Sequence, residues 1–355
     1  MLSWYKLPKR LIIPLIISIC LLFGRATGII EVNMNNNQTP SLWYHPDTEQ
    51  WLKRFASHES NTRTTNDILP MSGELLVSPD YSRHLRKKTM QSTKDSLSIW
   101  LYNITHEDSR ALIKDLARSW ISVKLILEDD KFGTDEAQDP RWWWIQVRND
   151  SKLHTNFVHA KTFVSSWFFI IQTANLTNSA RIRQREYYIV GHNPQIIANL
   201  QMLFDKDRNG HRIDTEDVHP NLVFCEIDCR HKVSELIASA KESIIIQNQY
   251  VEDEQIIWLL SDKINAGINT RINLPQDEGD RAKDLPFLDN HVKFLRSPRI
   301  HAKALLIDSK YLLISSINLS TNSLDNNREI GIIITDRTTI DKFLQQFDED
   351  RDNSK

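Results

Sequence analysis

The sequence predicts an α/β fold of two similar lobes related by a pseudo-twofold axis, on three observations. Short motifs recur in one order at nearly one spacing, strand-like and helix-like segments alternate around each copy, and 355 residues suffice for two ordinary lobes. His159-Ala160-Lys161 returns as His301-Ala302-Lys303, 142 residues on. Thr173-Ala174-Asn175-Leu176 returns as Ser316-Ile317-Asn318-Leu319, and Gln184-Arg185-Glu186 as Asn327-Arg328-Glu329, each 143 residues on. Phe204-Asp205-Lys206-Asp207-Arg208 returns as Phe347-Asp348-Glu349-Asp350-Arg351 at 143, and Lys94-Asp95-Ser96 as Lys241-Glu242-Ser243 at 147.

In the second copy a helical stretch at 234–241 runs into an apolar strand at 243–247. A helix at 256–264 and a strand at 269–274 follow, then a strand pair at 304–307 and 311–315 that turns at Asp308-Ser309-Lys310. Each copy closes on a helix, at 194–204 with Asn193 as cap and Pro194 at the tolerated first position, and at 339–347. The boundary falls near 209–220, giving lobes of 71–212 and 213–355. Residues 29–70, rich in Asn, Thr and Ser, form a leader expected to be partly disordered.

Residues 1–28 read as a targeting segment. Lys6, Lys9 and Arg10 precede the apolar run 11–24, and Ala26-Thr27-Gly28 offers a small-residue cleavage site. The run is short for a spanning helix, so a secretory signal is expected, with an uncleaved anchor as the alternative. Either places the body outside the cytoplasm. The whole chain carries a formal charge of −2; without this segment and its four cations the balance is more acidic. A nonspecific nucleic-acid binder shows the opposite surplus. Cys225 and Cys229 would lie ~13 Å apart in a continuous strand, so a disulfide requires the strand to end near Glu226.

Within a strand, residues i and i+2 share a face, so each HxK segment projects an imidazole and an ammonium together. A phosphate ester suits that pair, because the histidine attacks or donates a proton and the lysine neutralises phosphoryl oxygens. Two copies face to face bring His159, Lys161, His301 and Lys303 onto one phosphate. Asn175 and Asn318 add amide donors, and Thr173 and Ser316 hydroxyls. Glu186 and Glu329 suit the task of holding one ring nitrogen of a histidine.

These residues resemble the phospholipase D superfamily, whose signature is HxKxxxxD, then Ser/Thr-x-Asn, then Glu. The second copy matches it with His301, Lys303, Asp308, Ser316, Asn318 and Glu329; the first carries Ser166 in place of the Asp. The resemblance covers residues 71–351. It implies two lobes, each a mixed β-sheet flanked by helices, and a phosphodiesterase that needs neither metal nor cofactor. It further implies a two-step exchange through a phosphohistidine, with His159 as nucleophile, His301 as general acid and then base, and Asp308 as a structural support. A phospholipid is the expected substrate, with contact to a membrane surface, and a single chain serves as an internal pseudo-dimer and hence a monomer. A secreted nuclease acting on DNA or RNA is the first alternative. A lobe degenerate at Ser166 that binds phosphate or membrane without turnover is the second.

Three other signals are set aside. Asp205 to Gly210 with Glu216 fits a calcium-loop pattern, but its first half recurs in the second copy with nothing to complete it, so it marks the end of the repeat. Trp142-Trp143-Trp144 reads either as an interfacial anchor or as a core strand, and Phe163, Trp167, Phe168 and Phe169 read as packing residues.

Overall fold

Runs such as Ile244-Ile245-Ile246 are buried throughout, as strands covered on both faces require. The computed structural model describes residues 64–79, 82–128, 146–149, 155–279, 285 and 288–355; the targeting segment, most of the leader and Trp142-Trp143-Trp144 lie outside them. The first lobe runs β1 (Glu74–Ser78), α1 (Ser82–Gln91), β2 (Ser96–Leu101), α2 (Glu107–Arg118), β3 (Ser122–Leu127), β4 (Gln146–Asn149), β5 (Lys161–Ser165), β6 (Phe169–Gln172), α3 (Asn178–Ile182), β7 (Gln184–Gly191) and α4 (Pro194–Asn209). The second runs β8 (Leu222–Phe224), α5 (Cys229–Ser239), β9 (Ser243–Asn248), α6 (Glu254–Asn265), β10 (Asn269–Pro275), α7 (Leu288–His291) and β11 (Val292–Leu295). It continues with β12 (Arg299–Ile300), β13 (Lys303–Ile307), β14 (Tyr311–Ser315), α8 (Thr321–Asp325), β15 (Ile330–Ile334) and α9 (Arg337–Asp352).

The sheets are ordered β1-β7-β6-β5-β2-β3-β4 and β8-β15-β14-β13-β9-β10-β11, so the duplication extends to topology. Both are mixed: β2, β3 and β4 are parallel, as are β9, β10 and β11, while the remaining neighbours run antiparallel. A central core joins the lobes, with Trp100, Ile189, Leu200 and Phe204 packed in one cluster with Ile245, Leu306, Ile332 and Phe343. Each sheet buries its other face against its own helices, through Ile113 and Leu116 of α2 and through Val233, Leu236 and Leu260 of α5 and α6.

The closing helices run further than their sequence pattern suggests. Asn193 caps α4 as expected, but the helix continues past Phe204 to Asn209, ended by Gly210 at φ 70°. Asp336 caps α9, which starts at Arg337, two residues ahead of the expected start, and continues to Asp352. Both extensions carry a buried aspartate, Asp207 or Asp350. The helix expected at 234–241 instead begins at Cys229. Strand β8 stops at Phe224, Glu226 turns the chain at φ 76°, and a Cys225–Cys229 disulfide spans 4.5 Å between Cα atoms. The last residues of the leader lie on the second lobe, where Thr65 N–H donates to Glu235 at 3.0 Å and Leu69 N–H to Asn221 at 3.1 Å.

Candidate active site

Each HxK strand is threaded into the opposite lobe before it joins its own sheet. Strand β12 pairs in parallel with β7, and His301 N–H donates to Arg185 O at 3.2 Å. The mirror contact is a parallel bridge from Val158 to Arg328, with His159 N–H donating to Arg328 O at 3.0 Å. The residue after each arginine is the glutamate of the repeat. Each histidine therefore meets the other lobe's carboxylate.

His159 Nδ1 lies 2.8 and 2.9 Å from the two oxygens of Glu329. His301 Nδ1 lies 2.8 Å from Glu186 and 3.2 Å from the Lys303 ammonium. With Nδ1 held by a carboxylate, Nε2 is the nitrogen left for chemistry. Both glutamates are fully buried, and Thr173 donates its hydroxyl to Glu186. Asn327 donates to Glu329 at 3.4 Å, and Ser316 Oγ accepts the N–H of the next residue, Ile330, at 3.1 Å. Lys161 and Lys303 each donate to the backbone carbonyl of the histidine two residues before, and Lys303 also donates to Gln249 at 3.1 Å. Asn175 and Asn318 close the set, each with a buried Oδ1 that has no hydrogen-bond partner.

Burial dominates the electrostatics. It pulls His301 down to about 4 and His159 below the ordinary imidazole value, against the attraction of Glu186 and Glu329 respectively. It also lowers Lys161 to about 8 and Lys303 to about 7. Both glutamates stay below the usual carboxylate value despite burial, because His301 faces Glu186 and His159 faces Glu329. Each histidine is shifted by the lysine of the other motif as well as its own, so the four groups form one electrostatic unit. Neutral imidazoles, anionic carboxylates and two poised ammoniums fit a phosphodiester anion.

Asp308 is not brought to this cluster. It stands at the far end of β13, ~16 Å along the strand from Lys303. There it accepts the backbone N–H groups of Lys241, Glu242 and Ser243 at 2.8–3.2 Å. Ser166, at the equivalent turn, donates to Asp95 at 2.6 Å. Phe163, Phe168 and Phe169 are core residues, whereas Trp167 is partly exposed and stacks on His192.

Sequence reasoning missed four residues that hold the halves together. Arg185 makes a two-point bond to Asp350 at 2.8 and 2.9 Å, and Arg328 reaches Asp207 at 3.1 Å, so each lobe's arginine grips the other lobe's closing helix. The signal was in the repeat itself, since both the arginine and the second aspartate recur at 143. Glu128 was missed too: it is buried, and it accepts Val158 N–H at 2.6 Å, one residue before His159. The residue 147 further on is Pro275, so no repeat marked it.

Comparison with known proteins identifies the family. The family described as "Cardiolipin synthase, PLD-like domain" matches residues 87–208 and 233–351, one match per lobe. Cardiolipin synthase 2 of Bacillus anthracis is 28% identical over 135 residues, 35% of this chain and 26% of that protein. The match thus spans about a quarter of the relative's length. Among solved structures, phosphatidylserine synthase of Haemophilus influenzae Rd KW20 superposes with a TM-score of 0.64 at 12% identity, over 79% of this chain and 86% of that one. Polyphosphate kinase of Porphyromonas gingivalis superposes at 0.62 and 15%, over 78% and 50%. At such identities the superpositions establish the shared fold alone. The two family matches, one on each half of the duplicated site, make this chain a member of the cardiolipin synthase-type PLD-like family, within the phospholipase D superfamily.

Proposed function

We propose that this chain is a phospholipase D-type phosphodiesterase that hydrolyses or transfers a phosphatidyl group through a phosphohistidine. One observation carries the reading: the exchange of glutamates between lobes, His159 with Glu329 and His301 with Glu186. It gives one site two oriented imidazoles, as a double displacement needs.

In the first step Nε2 of His159 attacks phosphorus and the bond to the leaving oxygen breaks, while His301 gives that oxygen its proton. His301 takes up that proton from solvent as the substrate binds, because an anionic phosphodiester offsets the burial that holds it at about 4. In the second step His301 takes a proton from water or an alcohol, whose oxygen attacks phosphorus and releases His159. Lys161 and Lys303, with the amides of Asn175 and Asn318, neutralise the phosphoryl oxygens throughout. The acidic balance of residues 29–355 and the name of the cardiolipin synthase relative favour a phospholipid over a nucleic acid. The Cys225–Cys229 disulfide supports an oxidising, extracytoplasmic setting.

The test is a panel of phospholipids, DNA and RNA offered in the presence of chelator, followed by an alkaline quench to preserve phosphohistidine. Head-group release with label on His159 is the expected result. Nicked DNA or shortened RNA instead would identify a nuclease, and no turnover with no trapped label would identify a phosphate- or membrane-binding module. Full activity in both His159→Ala and His301→Ala would refute the mechanism.

A further inference from the structure

Duplication leads one to expect a symmetric cleft, and the flanks of this one differ. On the strands entering the site, side chains two residues apart share a face. Phe157 stands with His159 and Lys161 in the first lobe, and Arg299 with His301 and Lys303 in the second. A second pair of equivalent positions, 147 apart, holds Tyr102 and Gln249.

The His159 flank is aromatic. The Tyr102 ring packs edge-on against the His159 ring at 4.8 Å and against Phe157 at 6.5 Å, and the Lys161 ammonium lies 5.5 Å from its centroid. The His301 flank is polar. Gln249 accepts from Lys303 and donates to the Tyr250 hydroxyl at 2.7 Å, while Arg299 pairs with Asp277 at 2.7 Å and Glu278 at 3.1 Å.

We propose that Tyr102 and Phe157 form an apolar subsite on the His159 flank for the acylglycerol part of the substrate, and that the polar alcohol enters and leaves along the Gln249–Arg299 flank. The inference deepens the proposed function and rests on it. In an in-line displacement the leaving and entering alcohols both occupy the position opposite the attacking nitrogen, which is the His301 side. What stays on phosphorus must pack elsewhere, and the aromatic corner supplies apolar surface beside the nucleophile. A nucleobase fits this corner less well. Tyr102 meets Phe157 at 88° and His159 at 71°, so the Tyr102 face is parallel to neither ring and forms no sandwich with them for a base. The neighbouring rim carries the amides of Asn156 and Asn322, bonded to each other at 3.0 Å, where a polynucleotide backbone would call for cations.

The experiment compares kcat/KM for a long-chain diacyl phospholipid in detergent micelles with that for the same head-group phosphodiester lacking acyl chains. Tyr102→Gln, which copies the second lobe, and Phe157→Ala should each lower the diacyl-to-deacylated ratio roughly tenfold. Tyr102→Phe and Phe157→Leu, which keep the apolar surface, should hold it near the wild-type value. A ratio unchanged in Tyr102→Gln and Phe157→Ala overturns the subsite, and so does an equal loss in the conservative variants. Should Tyr102→Gln fail to fold by thermal melting, the Phe157 series decides alone. If the wild type cleaves neither lipid substrate, the functional reading falls first and the subsite with it, an outcome distinct from a wild type that works and a ratio that does not move.

Discussion

The second lobe ties the start of β9 to the β13–β14 turn with one side chain, whereas the first divides the same task between two. Asp308 accepts three consecutive backbone N–H groups by itself. In the first lobe the carboxylate comes from Asp95 at the foot of β2, which accepts Ser96 N–H at 2.7 Å, and Ser166 reaches across from the turn to donate its hydroxyl. Carboxylate and turn residue have exchanged sides. The Ser166 departure is therefore compensated at the sheet's far end, and the end that carries His159, Lys161 and Glu186 keeps its full set of groups. The two ends of a lobe diverge independently, and the cleft is where symmetry matters to chemistry.

The largest expected effect separates the two histidines. His159→Ala and His301→Ala should each lower turnover of a natural ester by roughly a thousandfold or more. On a phosphodiester with a nitrophenolate leaving group, which departs without a proton, His301→Ala should release one equivalent of phenolate in a burst and then stall as the phosphohistidine. His159→Ala should give no burst. A burst from His159→Ala alone would reverse the roles of the lobes.

The cross-lobe arginines come next. Arg185 holds Asp350 with two bonds, and Arg328 holds Asp207 with one at 3.1 Å while also facing Glu226 at 3.2 Å. Replacing either with Met leaves a buried carboxylate without its counter-charge, a loss on the order of 3–5 kcal/mol. Urea denaturation should show the greater loss in Arg185→Met, because the two-point pair is the better satisfied. Equal losses would mean that the lobes share this load evenly.

The lysines differ in the same way. A lysine at about 7 or 8 in the folded chain and near 10.5 when unfolded binds fewer protons folded than unfolded between those values. Stability should rise with pH across that window, and the cost of the buried ammonium is fully present below it. Lys303→Met should raise Tm most at pH 6, more than Lys161→Met does, and both gains should fade towards pH 10.5 while turnover is lost throughout. In the wild type, kcat/KM should fall as pH rises through about 7 to 8, where the phosphate-binding cations lose their protons. A kcat/KM that stays flat up to pH 9 would place the phosphate away from these lysines.

Much of this was legible because the motifs are local. His301, Lys303, Asn318 and Glu329 fall in one recognisable order, and their recurrence as His159, Lys161, Asn175 and Glu186 announces two lobes. Which glutamate serves which histidine was not legible, since that depends on β12 pairing with β7 across the lobes and on its mirror at Val158. Arg185 and Asp207 were visible as repeated letters, but that each arginine reaches the aspartate of the other lobe has no linear signature. The disulfide turned on a single residue. Four residues of strand keep Cys225 and Cys229 apart, and the left-handed Glu226 at φ 76° brings them together.

The smallest effect bears most directly on how the lobes diverged. If Ser166 and Asp95 stand in for the missing motif aspartate, restoring that residue should do harm. Asp95 is held below the usual carboxylate range, chiefly by the Ser166 hydroxyl. Ser166→Asp puts a second carboxylate against it and removes the donor, so a loss of about 1 kcal/mol is expected at this exposed turn. Asp95→Asn in the same chain relieves the repulsion and supplies an amide donor, and should recover most of that loss. Thermal melts of the two singles and the double close the cycle. A stabilising Ser166→Asp would show that the first lobe has the frame for the contact Asp308 makes in the second; a double no better than the sum of the singles would show that Asp95 and Ser166 do not act as a pair.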